Sequence, residues 1–192
     1  ELTSGGAIYL LEGTYNISGS IVPLSNISII GTGTGTVLKA SGNIDVINTS
    51  NRQNILISQL MINGSNSASS GISFNSVIGS RIDKVGITST LSRGIYLSYS
   101  SYISVSNSFI EGSSDKGIES SASSNNIISH NKITANNGIY LAASSSSSNN
   151  NIVSDNSILA PSVGVYIKDG SANNNVSGNY IEKTNPSDYS YG

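Results

Sequence analysis

Pairs of aliphatic residues five positions apart recur along this chain: Ile57 and Ile62, Ile82 and Ile87, Val105 and Ile110, Ile128 and Ile133, Val153 and Ile158, Val176 and Ile181. Their first members stand at 57, 82, 105, 128, 153 and 176, giving steps of 25, 23, 23, 25 and 23 residues. The later pairs sit in a longer repeated phrase. Asn125-Asn126-Ile127-Ile128-Ser129-His130-Asn131-Lys132-Ile133 returns almost unchanged from Asn150 to Ile158 and from Asn173 to Ile181. Self-similarity at a period of roughly 20 to 50 residues predicts a solenoid, an array or a propeller.

A second phrase follows each pair: Gly71-Ile72-Ser73-Phe74, Gly94-Ile95-Tyr96-Leu97, Gly117-Ile118-Glu119-Ser120, Gly138-Ile139-Tyr140-Leu141 and Gly164-Val165-Tyr166-Ile167. The alternation predicts a strand with one face inward, and the glycine is expected to mark a bend before it. Polar runs such as Ala143 to Ser148 are expected to be loops that absorb differences in coil length without breaking the strand register. No window carries a helical apolar stripe, and the Ser, Asn, Gly and β-branched content opposes helix. The opening, Gly6 to Ile17, reads as a strand, a glycine-containing turn and a second strand. The run Gly31-Thr32-Gly33-Thr34-Gly35-Thr36 lacks the lysine and helix start of a phosphate loop. It is expected to be a turn leading into a strand at Thr36-Val37-Leu38.

The prediction is an all-β fold, a single right-handed parallel β-helix of about seven to eight rungs with a period of about 23–25 residues. At ~4.8 Å per rung it forms a rod on the order of 35–40 Å long. Residues 1–183 are assigned to the β-helix and 184–192 to an irregular tail or linker, because Pro186 cannot join a central ladder. Asn131, Asn156 and Asn179 fall at one place in successive rungs and are expected to form a hydrogen-bonded structural ladder. Ser129, Ser154 and Ser177 repeat two residues earlier and carry the same structural expectation.

Composition adjusts this picture in two ways. The chain has 42 Ser and 24 Asn with only 10% charged residues, so it folds only because its aliphatics recur in register. A net charge of -2 with nine Lys and Arg gives no basic footprint for nucleic acid, and no apolar run approaches the ~18 residues of a membrane span. There is no Cys, hence no disulfide and no thiolate site, and no cofactor or metal is expected. The absence of an initiator Met, a signal peptide and well-capped ends suggests a piece of a larger chain. Five Asn-x-Ser sequons, at Asn16, Asn26, Asn48, Asn63 and Asn175, are about what this composition yields by chance.

Gly5 to Tyr15 resembles the opening rung of the pectate-lyase-like family of right-handed parallel β-helices. Ile29-Ile30-Gly31-Thr32-Gly33 resembles its next turn, and Asn54 to Ile181 its generic repeat. The resemblance covers nearly the whole chain, but its motifs specify fold rather than chemistry. It implies a choice among polysaccharide lyases, hydrolases, epimerases, phage tailspikes and non-catalytic surface proteins. The family's capping helix before the first rung and its catalytic aspartate clusters have no match here. Arg81-Ile82-Asp83-Lys84 resembles a basic motif of the hydrolases without the partner aspartates.

Candidate chemistry therefore rests on few residues. Aligned on the glycine, Tyr96, Glu119, Tyr140 and Tyr166 form one outward column, with Arg93 and Lys116 just before their glycines. Tyrosine offers a flat apolar face and a polar tip, so Tyr96, Glu119, Tyr140, Tyr166 and Lys116 are candidates for carbohydrate contact. Asp115, Glu119 and Arg93, with Glu111 as an addition, are candidates for a carboxylate-based catalytic site. The sole histidine, His130, occupies a place filled by Asp155 and Gly178 in other rungs and reads as an exposed turn. The expected function is an extracellular or cell-surface β-helical module, structural or adhesive. It is expected to stack end to end with copies of itself or continue into a larger chain, and to contact polysaccharide. The alternative is a polysaccharide lyase, epimerase or hydrolase, or a tailspike-like fragment of one.

Overall fold

The computed structural model describes residues 5–142, 147–168 and 170–184. Residues 143–146 of the expected polar loop and 185–192 of the expected tail lie outside them. The described residues form eighteen strands and no helix. Every strand pairing is parallel, and the strands wind into a right-handed β-helix of three faces.

Each face is a column of strands. The first face stacks eight, running from Gly6–Tyr9 and Ile27–Ile30 through the first halves of Leu56–Asn63 and Arg81–Thr88 to Ser104–Ser106, Ile127–Ser129, Ile152–Ser154 and Asn175–Ser177. The second face also stacks eight, from Gly13–Ile17 and Thr36–Ala40 to Ser157–Ala160 and Tyr180–Lys183. The third has six, from Asp45–Ser50, Ser70–Asn75 and Arg93–Ser98 to Val163–Ile167.

The five-residue aliphatic pair straddles a corner of the coil. Its first member points inward from the first face, the chain turns a corner, and its second member points inward from the second face. Ile57, Ile82, Val105, Ile128 and Val153 form one buried column, and Ile62, Ile87, Ile110, Ile133 and Ile158 another. Ile47, Ile72, Ile95, Ile118 and Ile139 supply the third. Like side chains thus pack on like at the strand spacing of ~4.8 Å, which lets a rung with few aliphatics still close a continuous core.

Two expectations need correction. The glycines at 71, 94, 117, 138 and 164 do not mark bends; each lies inside a strand and has no positive φ. They are glycine because there is no room for a Cβ. On Gly94 it would sit 2.5 Å from Ile110 Cγ2 and 2.7 Å from the Gly117 carbonyl oxygen, and Gly117 meets Gly138 in the same way at 2.8 Å. The bends instead use left-handed non-glycine residues, Asn26, Asn54, Asn125, Asn150 and Asn173 at one corner and Lys84, Asn107, His130 and Asp155 at another. Asparagine tolerates this region better than most L-residues. The register also shifts inside a strand: Phe109–Ser121 bulges against Lys132–Leu141 in two steps, from Glu111 to Ser113 and from Ser113 to Lys116, where the partner strand needs two fewer residues.

Side-chain ladders satisfy the corners. The backbone N–H groups of Ser108, Asn131 and Asn156 donate to Oδ1 of Asn131, Asn156 and Asn179, each at 3.0 Å, and the three amides return Nδ2 bonds to carbonyls of preceding rungs. A second asparagine ladder, unassigned from sequence, runs through Asn126, Asn151 and Asn174. A third is built of serine: Val77, Ser100, Ser123 and Ser148 donate N–H to the Oγ of Ser100, Ser123, Ser148 and Ser171.

Two buried polar residues should therefore respond oppositely to truncation. Asn156→Ala leaves the Asn131 N–H and the Ile128 carbonyl without these partners, an expected loss of about 2–6 kcal/mol at roughly 1–3 kcal/mol per orphaned group. Ser120 stands between Leu97 and Leu141 in the core, fully buried, with no partner for its Oγ. Ser120→Ala should leave stability unchanged or raise it by up to about 1 kcal/mol. Urea unfolding of the two variants against wild type checks both signs.

Candidate functional site

The outward positions of the third face carry the chain's densest chemistry. Register places Tyr96 beside Glu119, Glu119 beside Tyr140, and Tyr140 beside Tyr166, so the column aligned on the glycine is continuous over four rungs. A parallel column runs Ser70, Arg93, Lys116 and Asn137. Because neighbours on one face of a parallel sheet lie one strand spacing apart, these side chains must either pair or repel.

They pair. The Arg93 guanidinium donates from Nε to Glu119 Oε2 and lies over the Tyr96 ring, 4.4 Å from its centroid. Lys116 Nζ lies 2.7 Å from Asp115 Oδ2 and 3.7 Å from Glu119 Oε2. Its ammonium also sits 5.3 Å from the centroid of the Tyr140 ring. Asn137 Nδ2 donates to Asp115 Oδ1 at 3.0 Å. Tyr140 and Tyr166 stack with centroids 4.5 Å apart and planes at 23°, close to the rung spacing, so their planes lie across the helix axis. The Tyr140 ring is thus covered on one face by Tyr166 and on the other by Lys116. It turns its edge and phenol outward in place of the flat face expected from sequence. Burial and the neighbouring Tyr166 raise the Tyr140 pKa against a smaller opposing pull from Lys116, so at neutral pH the phenol keeps its proton.

The other sequence candidates stand apart. Glu111 is exposed on the second face, paired in register with Thr88 and Thr134. Arg81 and Asp83 lie on the outside of the first face. Asp83 accepts hydrogen bonds from Ser106 Oγ at 2.9 Å and Asn107 Nδ2 at 2.8 Å, with the Arg81 guanidinium 3.2 Å away. Burial pushes its pKa up, but the bonds from Asn107, Ser106 and Arg81 outweigh it and hold the carboxyl below its usual value. A carboxylate held ionised by three donors is a poor general acid. His130 is exposed at a left-handed corner with φ of 57°. Met61 lies over Gly86 beside Phe109, where an added Cβ would strike both side chains. Among the described residues no three His, Cys, Asp or Glu side chains converge to hold a metal ion, and no helix is long and apolar enough to cross a membrane.

Solved structures share the fold. The polygalacturonase from Erwinia carotovora subsp. carotovora is 14% identical with a TM-score of 0.78, over 91% of this chain and 62% of its own. The ORF18 protein of Geobacillus virus E2 is 14% identical at a TM-score of 0.71, over 97% of this chain and 55% of its own. The catalytic domain of a GH87 α-1,3-glucanase in complex with tetrasaccharides is 17% identical at a TM-score of 0.64, over 91% of this chain and 41% of its own. The chain thus spans about two-fifths to three-fifths of these proteins. At such identities the likeness shows the fold alone. Among curated proteins no sequence relative matches. Residues 2–191 match the model of the family described as periplasmic copper-binding protein (NosD), and the chain belongs to that family.

Proposed function

We propose that this chain is an extracytoplasmic β-helical surface module whose third face holds polysaccharide without cleaving it. The observation that carries the reading is the continuous strip of Arg93, Tyr96, Lys116, Glu119, Tyr140 and Tyr166, assembled in register from positions that the core does not use. Phenol oxygens, ring edges and charged heads repeat along the axis at the strand spacing and offer both donors and acceptors to a hydroxyl-rich chain. The family's periplasmic description and the carbohydrate-active proteins that share the fold support the location and the ligand class. The carboxylates favour binding over hydrolysis, since Glu119 is held by Arg93 and Asp115 by Lys116.

Copper, named in the family's description, does not suit the residues present. Copper sites gather imidazole, thiolate or thioether donors. This chain has one His, one Met and no Cys, and His130 stands at an exposed corner while Met61 packs on Phe109 several rungs away.

A second reading, a polysaccharide lyase, epimerase or hydrolase, is favoured by Asp115 and Glu119 flanking the one Lys116 ammonium. Affinity electrophoresis against a panel of acidic and neutral polysaccharides separates the two. Retention by at least one polymer is expected, weakened roughly tenfold, or about 1.4 kcal/mol, in the Tyr140→Ala/Tyr166→Ala double variant. No retention, or retention untouched by that variant, rejects the contact. Release of shortened or unsaturated products that disappears in Glu119→Gln establishes the enzyme instead. Stacking of copies along the rod axis is the structural half of the proposal. Light scattering and electron microscopy over a concentration series should show ordered stacks, and a monomer throughout rejects it.

A further inference from the structure

The geometry points to a covalent cross-link on the third face: an amide bond between the side chains of Lys116 and Asn137, formed by the chain itself with Asp115 as proton carrier. The inference does not rest on the polysaccharide reading and stands or falls separately from it.

Lys116 and Asn137 are direct partners on adjacent parallel strands, one strand spacing apart, immediately after the bulge that realigns Phe109–Ser121 with Lys132–Leu141. One carboxylate bridges them. Asp115 Oδ2 lies 2.7 Å from Lys116 Nζ, and Asp115 Oδ1 accepts from Asn137 Nδ2 at 3.0 Å. An amine, a carboxamide and a shared carboxylate between them are the three groups that amide exchange requires: nucleophile, electrophile and a group that moves protons from one nitrogen to the other. The amine and the carboxamide are shielded, while the Asp115 side chain between them is 43% exposed and reaches solvent. Asn137 is 9% exposed, the Lys116 side chain is 17% exposed, and the Tyr140 ring lies beside the amine. Glu119 Oε2, fixed by Arg93, stands 3.7 Å from Nζ and keeps it on the sheet. Holding the reacting groups together converts a bimolecular encounter into an intramolecular one, and a single turnover suffices.

The step balances without any co-reactant. The Lys116 ammonium passes a proton to Asp115, and the freed lone pair attacks Asn137 Cγ, forming the new C–N bond. Asp115 then gives its proton to Nδ2, the Cγ–Nδ2 bond breaks, and ammonia departs. The second proton of the former amine leaves through the same carboxylate and is taken up by the ammonia. One ammonium and one carboxamide become one secondary amide and one ammonium ion, with no change in oxidation state. In a chain without Cys, this is a bond that can tie two rungs covalently through their side chains.

Intact-mass spectrometry of the purified full chain tests the proposal. The expected mass is lower than the sequence mass by one ammonia. Trypsin should fail to cut after Lys116 and should release residues 94–132 joined to 133–168 in a branched peptide whose fragments place the bond between Lys116 and Asn137. Lys116→Arg and Asp115→Ala should each restore the full mass while keeping the β-sheet circular dichroism of wild type. The full sequence mass in folded wild type overturns the inference and leaves the three residues as a plain polar network. An ammonia loss that persists in Lys116→Arg also overturns it, because it then belongs to ring closure at the Asn137-Gly138 step.

Discussion

In this molecule each residue of one rung lies against the corresponding residue of the next, at one strand spacing and in parallel register. An antiparallel sheet can pair unlike residues across a hairpin. Here every position stacks on copies of its own environment, so whatever a column contains must tolerate itself. Aliphatic columns do so by packing, and the glycine column by letting each backbone pass beneath the next glycine's carbonyl. The asparagine and serine columns do so because an amide or hydroxyl both gives and accepts. The corners are where this matters most, since the sheet ladder is interrupted there and buried N–H groups would otherwise be orphaned.

The same constraint explains the chemistry of the third face. Like charges stacked at strand spacing repel, so an outward column holding ionised groups must interpose aromatics or draw opposite charge from beside it. The strip does both: Glu119 lies between Tyr96 and Tyr140, and Arg93 and Lys116, register neighbours of like charge, both lean across to its carboxylate from the adjoining column. Its charges are answered from within the strip, which leaves a surface rich in directed hydrogen-bonding groups.

Much of the fold was legible because periodicity survives any amount of polar substitution. The aliphatic pairs, the Gly-Ile phrases and the Asn131, Asn156 and Asn179 column are all matters of spacing, and spacing is what a parallel stack conserves. The role of the glycines was not legible, since a residue chosen for φ and one chosen for lack of a Cβ look identical in sequence. Only the position of the Gly117 carbonyl above Gly94 distinguishes them. The second asparagine ladder, Asn126, Asn151 and Asn174, was visible as repetition but hidden beside neighbours of the same type at 125, 150 and 173, which turn the chain. The serine ladder was obscured by the abundance of serine. In the site, the tyrosine column could be aligned on its glycines. The orientation of its rings could not, because it depends on Lys116 reaching over Tyr140 from the preceding rung.

The amide ladders have a sense of direction. Asn126, Asn131, Asn151, Asn156, Asn174 and Asn179 each accept from a backbone N–H of the rung before, and each donates to a carbonyl of an earlier corner. A corner is therefore finished by its successor. The dependence runs one way along the folded rod: the buried N–H at each of these corners is satisfied by the coil that follows, so removing a coil uncovers the corner of its predecessor.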